Sequence, residues 1–495
     1  MWGVAVPEPA DESVPYGRQL SILAAARPTE TALTVVARDG SSRVLCWHEL
    51  ERAANKWARA LASSSVARGA MVALSVPNSV ELVVAALATW KVGAIPIPMR
   101  WDLPDWEQQR LLDVIAPALV ISEENLASLA ALAEAHDDIA LPEITSPALN
   151  GICSSGSTGL PKIILNTAPA VWRPPGAAPF IAQWAPVSSP QRILVPAPMY
   201  HTNGFVALNY LLSGDELVVL EKFDAALVLD TIERLRVTTF TATPTMLARI
   251  ADLPGVAHRD LSSIEWIQQG AAVMPQNLLH RWFELLSPER IVMAYGMTEN
   301  LGLTALRGDE WLEHPGSVGR GFRETEIRVV DDDGNVVGPG QFGEIYLRAP
   351  MTNQYRYIGG AHPLPATPDG FSSAGDIGYL DAEGYLYIAD RRTDMIVTGG
   401  ANVFPAEVEA ALIDHHEIAD VVVIGIADPQ WGRRVHAVVQ PTDAARPPTE
   451  QAVIRYAKDR LATYKVPKTV EFVDEIPRTA ATKVNRSAMV AARGG

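Results

Sequence analysis

Residues 149–162 read LNGICSSGSTGLPK: a short apolar run passes directly into a loop of serine, threonine and glycine that Pro161 and Lys162 close. Small residues allow backbone N–H groups to converge on one anion, and the hydroxyl groups add further donors. Lys162 contributes a positive charge, but no serine or threonine follows it, so the loop is not a Walker A motif. The segment therefore predicts a strand that leads into a phosphate-binding loop. A flexible Ser/Gly surface loop is the alternative.

The residues before this loop alternate between helical and strand-like patterns. Residues 45–64 carry apolar side chains at helical spacing, and residues 71–78 form a short apolar run that ends in Pro-Asn. Residues 79–93 are typical of a second helix, which Ser79 begins and Gly93 ends. The same alternation returns after the loop and continues to about residue 320. Strands that alternate with helices predict parallel sheets covered by helical layers.

The pattern then becomes antiparallel. Residues 324–350 alternate apolar and polar side chains around Asp-Asp-Asp-Gly-Asn, and residues 378–391 repeat this arrangement, so both segments predict hairpins. After residues 391–394 an α/β pattern begins again.

These patterns predict an α/β protein of two domains. The large N-terminal domain, residues 1–392, would combine mixed sheets and flanking helices with a β-hairpin, barrel-like subdomain. The small C-terminal domain, residues 393–495, would be α+β. A chain of 495 residues is long enough for more than one core.

The composition excludes several classes of function. A formal net charge of −16 gives no attraction to nucleic-acid phosphates, so we predict no nucleic-acid partner. The two cysteines, Cys46 and Cys153, provide neither a disulfide framework nor metal-ligand spacing. The N-terminus is acidic and contains proline, unlike a signal peptide, and no apolar run of about 18 residues indicates a membrane span. We therefore expect a cytoplasmic protein.

Seven further motifs follow the Ser/Gly loop. In chain order they are PMYHTNGF (198–205), QGAA (269–272), YGMTE (295–299), GDIG (375–378), DRRTDMI (390–396), GGANVFPAE (399–407) and PRTAATKVNR (477–486). Together with the loop they resemble the adenylate-forming superfamily, which contains the acyl- and aryl-CoA synthetases (the AMP-dependent synthetase and ligase family), the adenylation domains of peptide synthetases and the beetle luciferases. Eight motifs in one order cover nearly the whole chain.

The resemblance implies a nucleotide site. Tyr295 corresponds to the aromatic residue that stacks on adenine, whereas Asp376 and Arg391 correspond to the pair that binds the ribose. Glu299 corresponds to the ligand of Mg²⁺, and Thr298 to the hydroxyl beside the α-phosphate of ATP. The other positions that the resemblance assigns to ATP or coenzyme A are Ser154, Ser155, Gly156, Ser157, Thr158, Gly159, Lys162, Gly270, Ala271, Ala272, Gly296, Gly399 and Gly400.

Without the resemblance, several of these residues have a simpler interpretation. A tyrosine before a glycine is more often a core residue, and an aspartate between glycines is often a turn residue. A Thr-Glu pair is also a helix-start signal, and Arg391 would be one of two solvated arginines.

The resemblance also implies the catalytic residues. Lys483 corresponds to the lysine that reaches the substrate carboxylate and the α-phosphate, where a cation stabilises developing charge. His201 corresponds to the histidine at the mouth of the acid pocket; alone it would more often be structural. The implied reaction joins a carboxylic acid to ATP, giving an acyl-adenylate and pyrophosphate, after which the thiol of coenzyme A displaces AMP. In the family the C-terminal domain is mobile and rotates between the two steps.

Other side chains are expected to shape the acid pocket. Beside His201, these candidates are Thr202, Asn203, Phe205, Gln268, Met297, Leu301 and Leu303. They indicate a mainly apolar cleft with a few polar contacts. Residues 96–104, PIPMRWDLP, look closest to ligases for bulky acids.

Four positions differ from the usual pattern of the family. They are Ile163, Thr393, Thr482 and Arg433. None replaces an expected ATP contact, so we expect adenylation to survive. The last three concern the mobile domain, so they bear on the second step and its acceptor.

The leading hypothesis is therefore an ATP-dependent acid–CoA ligase for a hydrophobic fatty, aromatic or steroid-type acid. An alternative keeps adenylation but transfers to an amine or carrier protein, or activates nitrite to diazotise an aryl amine. A non-catalytic nucleotide-binding relative is the third hypothesis, against which the retention of Lys483, Glu299 and Asp376 argues. The residues do not determine the oligomeric state, and a homodimer is kept as a hypothesis.

Overall fold

The computed structural model describes residues 13–155, 161–174, 176–350, 354–359, 363–391, 394–398, 401–478 and 484–493. It is a mixed α/β protein with a large N-terminal part and a smaller C-terminal part, which confirms the predicted fold class. Across these ranges, no helix combines the length and the apolar character that a membrane crossing requires.

The first part of the chain builds a small parallel sheet and its helices. Its elements are β1 (Val14–Pro15), α1 (Tyr16–Ala26), β2 (Thr31–Val36), β3 (Ser42–Cys46), α2 (Trp47–Ser63), β4 (Met71–Ser75), α3 (Val80–Lys91), β5 (Ile95–Pro98), α4 (Asp105–Ile115), β6 (Leu119–Ser122), α5 (Glu123–Glu134), β7 (Asn150–Ser155), β8 (Pro161–Asn166) and β9 (Val171–Trp172). Strands β5, β4 and β6 are parallel, in that order. The predicted helices are confirmed as α2 and α3.

Helix α3 is buried along its whole length. It begins where the sequence predicts, because the Ser79 side chain accepts a hydrogen bond from the Leu82 amide at 3.1 Å. It stops at Gly93, whose φ of 72° suits a glycine. A helix that is apolar on all sides needs layers around it, and the surrounding helices and sheets provide them.

The middle of the chain builds the main sheet. Its elements are β10 (Arg192–Val195), α6 (Thr202–Phe205), α7 (Ala207–Leu212), β11 (Glu216–Leu220), α8 (Ala225–Leu235), β12 (Thr239–Ala242), α9 (Pro244–Ala251), β13 (Trp266–Gln269), α10 (Gln276–Leu285), β14 (Ile291–Gly296), β15 (Leu303–Arg307), α11 (Gly308–Glu313) and β16 (Arg320–Phe322).

This nine-stranded sheet has the order β16-β15-β14-β13-β12-β10-β11-β2-β3. The strands from β14 to β2 are parallel, as the sequence predicts, and the pairs at both edges are antiparallel. Helices α8, α9 and α10 contribute to one hydrophobic cluster with the inner strands. The carboxyl ends of all the parallel strands therefore lie on one side of the sheet, which is its carboxyl-terminal edge.

The later residues form antiparallel sheets and the C-terminal part. Their elements are β17 (Glu326–Val330), β18 (Gly343–Arg348), β19 (Tyr355–Ile358), β20 (Ser372–Leu380), β21 (Leu386–Arg391), β22 (Ile396–Thr398), β23 (Ala401–Val403), α12 (Pro405–Ile413), β24 (Ile418–Asp428), β25 (Gly432–Pro441), α13 (Glu450–Lys458), β26 (Thr469–Phe472) and α14 (Arg486–Ala491). The two predicted hairpins are confirmed as β17–β18 and β20–β21, which share one sheet.

The C-terminal strands β22 to β26 form their own sheet, with a separate hydrophobic cluster. Strand β26 adds to β25 in parallel, whereas the other pairs are antiparallel. Thr449 caps the start of helix α13, because its side chain accepts a hydrogen bond from the Ala452 amide. The two parts of the chain meet at an aromatic contact: Phe342 stacks on Phe404, with ring centroids 5.9 Å apart. The boundary between residues 392 and 393 stays a prediction.

Candidate active site

Three of the predicted motifs follow parallel strands of the main sheet. Strand β10 leads to the segment that contains His201, β13 leads to Gly270, and β14 leads to Thr298 and Glu299. Because these strands are parallel neighbours, their carboxyl ends bring the motifs to one edge. The Thr202 and Thr298 hydroxyls are 3.0 Å apart, which joins the first and third motifs directly.

The expected ribose-binding residues lie on two paired strands, β20 and β21, and one of them contacts Tyr295. The Tyr295 hydroxyl donates a hydrogen bond of 2.6 Å to Oδ2 of Asp376. Asp376 lies opposite Arg391 in the β20–β21 pair. Gly375, just before Asp376, has a φ of 71°, and a bulge follows at Ile377. The bend therefore turns the Asp376 carboxylate toward Tyr295. Tyr295 and Asp376, both predicted to bind the nucleotide, form one hydrogen-bonded pair.

The phosphate side of the site is a cluster of Lys162, Glu299 and Tyr357. The Tyr357 hydroxyl donates a hydrogen bond of 2.6 Å to Oε1 of Glu299. The Lys162 ammonium lies 3.7 Å from the same oxygen and 4.2 Å from the centre of the Tyr357 ring. Burial, and then the hydrogen bond to the Glu299 carboxylate, raises the pKa of Tyr357 far above its ordinary value, so the hydroxyl keeps its proton.

Sequence reasoning missed Tyr357, because no motif contains it. The signal that could have found it is the alternation Tyr-Arg-Tyr at residues 355–357, which places two aromatic rings on one face of a strand. That signal has no meaning until the partner strand is known.

The segment that carries His201 is held by Asn78. The Asn78 side chain donates to the carbonyls of Ala197 and Leu220, both at 3.0 Å, and accepts from the Met199 amide at 2.8 Å. Gly204 is needed in the same segment, because a Cβ there would lie 2.4 Å from the Pro198 carbonyl oxygen. The histidine is therefore presented on a rigid turn.

The acid-pocket candidates divide into two groups. Phe205 is buried against Trp90, with ring centroids 6.0 Å apart, and Leu301 is buried in a cluster with Ile345 and Leu347. Their positions are typical of core residues. The partly exposed candidates are Thr202, Asn203, Gln268, Met297 and Leu303.

The nucleotide-loop residues occupy constrained backbone. Gly270 follows β13, and Ala271 has a φ of 75°, which is unusual for a residue with a side chain. The Gln269 side chain donates to the carbonyl of Ala272, which closes the turn.

Several predicted residues lie outside the described residues. They are Gly156, Ser157, Thr158, Gly159, Thr393, Gly399, Gly400, Thr482 and Lys483. For Ser154, Ser155 and Arg391 the structure describes the backbone alone.

Strands β7 and β8 are antiparallel neighbours that flank residues 156–160, so the predicted strand before the loop is confirmed. Ile163, which differs from the family pattern, is buried in a hydrophobic cluster.

The residues fit a magnesium ion that arrives with phosphates. Within the described ranges, no group of three or more His, Cys, Asp or Glu side chains forms a metal site. Glu299 offers one hard carboxylate, and Mg²⁺ is commonly bound through one or two carboxylates together with substrate phosphates. The neighbouring Lys162 and Thr298 suit phosphate oxygens.

Two protein-family models together match most of the chain. The family model described as AMP-binding enzyme matches residues 22–355, and that of the AMP-binding enzyme C-terminal domain matches residues 407–483. The chain is similar to an indoleacetate–CoA ligase of Aromatoleum aromaticum, with 30% identity over 93% of this chain and 94% of that protein. It is also similar to a feruloyl-CoA synthase of Amycolatopsis, with 32% identity over 91% of this chain and 94% of that protein.

A solved structure shares the whole fold. The o-succinylbenzoate CoA synthetase of Bacillus subtilis, in complex with its acyl-adenylate intermediate, has a TM-score of 0.82 and 27% identity. The similarity covers 98% of this chain and 99% of that one. The same enzyme has been solved with ATP and a magnesium ion.

Proposed function

Because this chain belongs to the adenylate-forming family of AMP-binding enzymes that includes the acyl- and aryl-CoA synthetases, we propose how its own residues carry out the reaction and which acids it uses. The protein is an AMP-forming acid–CoA ligase that uses ATP, Mg²⁺ and coenzyme A. The observation that carries the proposed site is the convergence of Tyr295–Asp376 and Lys162–Glu299 at one edge of the main sheet.

The two ends of residues 295–299 bind different parts of MgATP. Tyr295 and Asp376 bind the adenosine, since an aromatic face and a carboxylate suit a base and two hydroxyls. Lys162 and the Thr298 hydroxyl bind the phosphates, and Glu299 would hold the magnesium ion, whose chemistry is to neutralise phosphate charge. Lys483 stabilises the charge that develops as the carboxylate attacks the α-phosphorus and pyrophosphate leaves.

Coenzyme A completes the reaction. Its thiol sulfur attacks the acyl carbon of the adenylate, the thioester bond forms, and AMP leaves with the electron pair of the acyl–phosphate bond. Gly399 and Gly400 are proposed to line the path of the thiol after the C-terminal domain has rotated. The domain boundary, a cytoplasmic location and a homodimer stay predictions.

We propose an aromatic or arylalkyl acid as the substrate. Support comes from the relatives named for indoleacetate and ferulate and from the neighbour bound to an o-succinylbenzoyl adenylate. The partly exposed Met297, Leu303 and Asn203 side chains offer apolar surface with a polar contact, which suits a ring with a polar substituent.

Pyrophosphate release tests this proposal. The purified protein is supplied with indole-3-acetate, ferulate, 2-succinylbenzoate, a long-chain fatty acid or nitrite, with and without coenzyme A. We expect the highest kcat/KM for an aromatic acid, together with a CoA thioester in the product. A clear preference for the fatty acid would contradict the substrate class, and release with nitrite followed by diazotisation of an aryl amine would contradict the acceptor.

A further inference from the structure

Tyr357 lies beside Lys162 because of the pairing between β8 and β19. In this antiparallel pair Tyr357 lies opposite Ile164. Lys162 is two residues before Ile164, so it lies on the same face as Tyr357 and is its diagonal neighbour. A long side chain spans that separation, and the Lys162 ammonium indeed lies 4.2 Å from the Tyr357 ring centre.

The two contacts to Glu299 differ in strength. The Tyr357 hydroxyl lies 2.6 Å from Oε1, the length of a strong hydrogen bond to a charged oxygen. The Lys162 ammonium lies 3.7 Å from that oxygen, beyond hydrogen-bonding distance. Tyr357 therefore fixes the carboxylate, whereas Lys162 balances its charge loosely.

The burial of the Glu299 carboxylate explains why the Lys162 ammonium lies near it. The Glu299 side chain is 12% exposed and that of Lys162 is 23% exposed. A carboxylate at such a position is costly without a positive partner. MgATP offers a cation to Glu299 and phosphate oxygens to Lys162, so both groups exchange one partner for a stronger one.

We propose that Tyr357 is a positioning residue whose hydroxyl aims the Glu299 carboxylate at the magnesium ion of MgATP, while Lys162 leaves that carboxylate for the phosphates. Among the described residues both contacts to Glu299 are made at Oε1, which leaves Oε2 for the cation. The inference rests on the metal-binding role proposed for Glu299.

Titration calorimetry tests the inference without turnover. The dissociation constant of ATP is measured with excess Mg²⁺ and again in EDTA, for the wild type and for Tyr357→Phe, which keeps the ring that faces Lys162. We expect Tyr357→Phe to weaken MgATP binding about tenfold, the effect typical of removing a partner of a metal ligand. Binding of metal-free ATP should stay within about twofold of the wild type.

Tyr355→Phe is the matched control. Tyr355 lies on the same face of β19, with its ring centroid 5.3 Å from that of Tyr357, but its hydroxyl accepts a hydrogen bond from the Leu364 amide. We expect this variant to bind both forms of ATP like the wild type. An equal loss in Tyr355→Phe and Tyr357→Phe would overturn the inference, since it would reflect a disturbed strand.

Glu299→Gln separates the two levels of the proposal. If this variant binds MgATP as tightly as the wild type, the metal-binding role of Glu299 fails. If Glu299→Gln weakens MgATP binding but Tyr357→Phe does not, only the role of Tyr357 is overturned. A Tyr357→Phe/Glu299→Gln double variant that is no weaker than Glu299→Gln alone supports the inference, because Tyr357 would then act through Glu299.

Discussion

Single residues beside the ligand-binding side chains occupy backbone conformations that few residue types accept. Asn300, directly after Glu299, has a φ of 55°, and Gly375, directly before Asp376, has a φ of 71°. Such angles are left-handed and favour glycine or asparagine. The backbone therefore helps to aim both carboxylates.

Asn300 offers a direct test of this link. The Asn300 amide closes a turn onto the Met297 carbonyl at 3.0 Å, and Asn300→Ala would place a disfavoured residue there. We expect a loss of about 1 kcal/mol in the free energy of unfolding by urea and weaker MgATP binding. Asn300→Gly should keep both values near the wild type. If alanine and glycine behave alike, the backbone does not aim Glu299.

Asp215 should make stability depend on pH. Burial raises the pKa of its carboxyl from 3.8 to about 6, although the Gln191 amide donates to it and Arg27 lies nearby. A raised carboxyl pKa means that the folded state holds the proton more tightly, so this stabilising contribution is complete below about pH 4 and is lost as the pH rises through 6.

Asp215→Asn removes that dependence. We expect the variant to be more stable than the wild type by about 1–2 kcal/mol at pH 7.5, with the difference shrinking as the pH falls toward 4.5. Urea unfolding at several pH values measures it. A constant difference across this range would show that Asp215 does not titrate between the two states as we expect.

At the scale of elements, the site depends on loops that one buried side chain holds together. Asn78 follows β4 and bonds to the segment after β10 and to the carbonyl of Leu220, the last residue of β11. The carboxyl ends of three strands from two sheets are thereby tied together near the segment that contains His201.

Asn78→Ala should affect both stability and acid binding. Removing the side chain leaves three buried backbone groups without their partner, so we expect the free energy of unfolding to fall by about 2–3 kcal/mol. We also expect the KM for the acid to rise more than the KM for ATP. Ser79→Ala is the control, because Ser79 caps α3 without touching that segment; it should cost about 1 kcal/mol and leave the acid KM unchanged. Equal KM changes in both variants would refute the bracing role.

Element patterns were readable from the sequence, whereas pairings were not. Ser79 and Gly93 marked the ends of α3 because capping is local. Tyr357 was missed because its contacts with Lys162 and Glu299 join segments that lie far apart in the sequence. Phe205 was predicted in the pocket from its neighbours, but only the fold shows it packed on Trp90.

At the scale of the molecule, the proposed mechanism requires two arrangements of the C-terminal part. The Phe342–Phe404 contact joins the two parts in the present arrangement. Rotation of the C-terminal domain would have to separate these rings, as for any hinge motion that repacks an interface.

Lys483 should matter for only one of the two steps. We expect Lys483→Ala to slow acyl-adenylate formation about 100- to 1,000-fold, because it removes a cation that stabilises the transition state. Thioester formation from supplied acyl-adenylate and coenzyme A should change little. Rapid-quench measurements of the separate steps check this, and an equal loss in both would contradict the role given to Lys483.

The position of β2 in the main sheet has a consequence for biosynthesis. Strand β2 is synthesised well before β11, yet the two strands pair in parallel. The Tyr16 hydroxyl likewise bonds to Asn209, 193 residues further along the chain. At translation speeds of about 5–20 residues per second, β2 waits roughly 10–40 s for β11. Until β11 is made, the side of β2 opposite β3 lacks its sheet partner, so we expect the yield of folded protein to rise with chaperone supply.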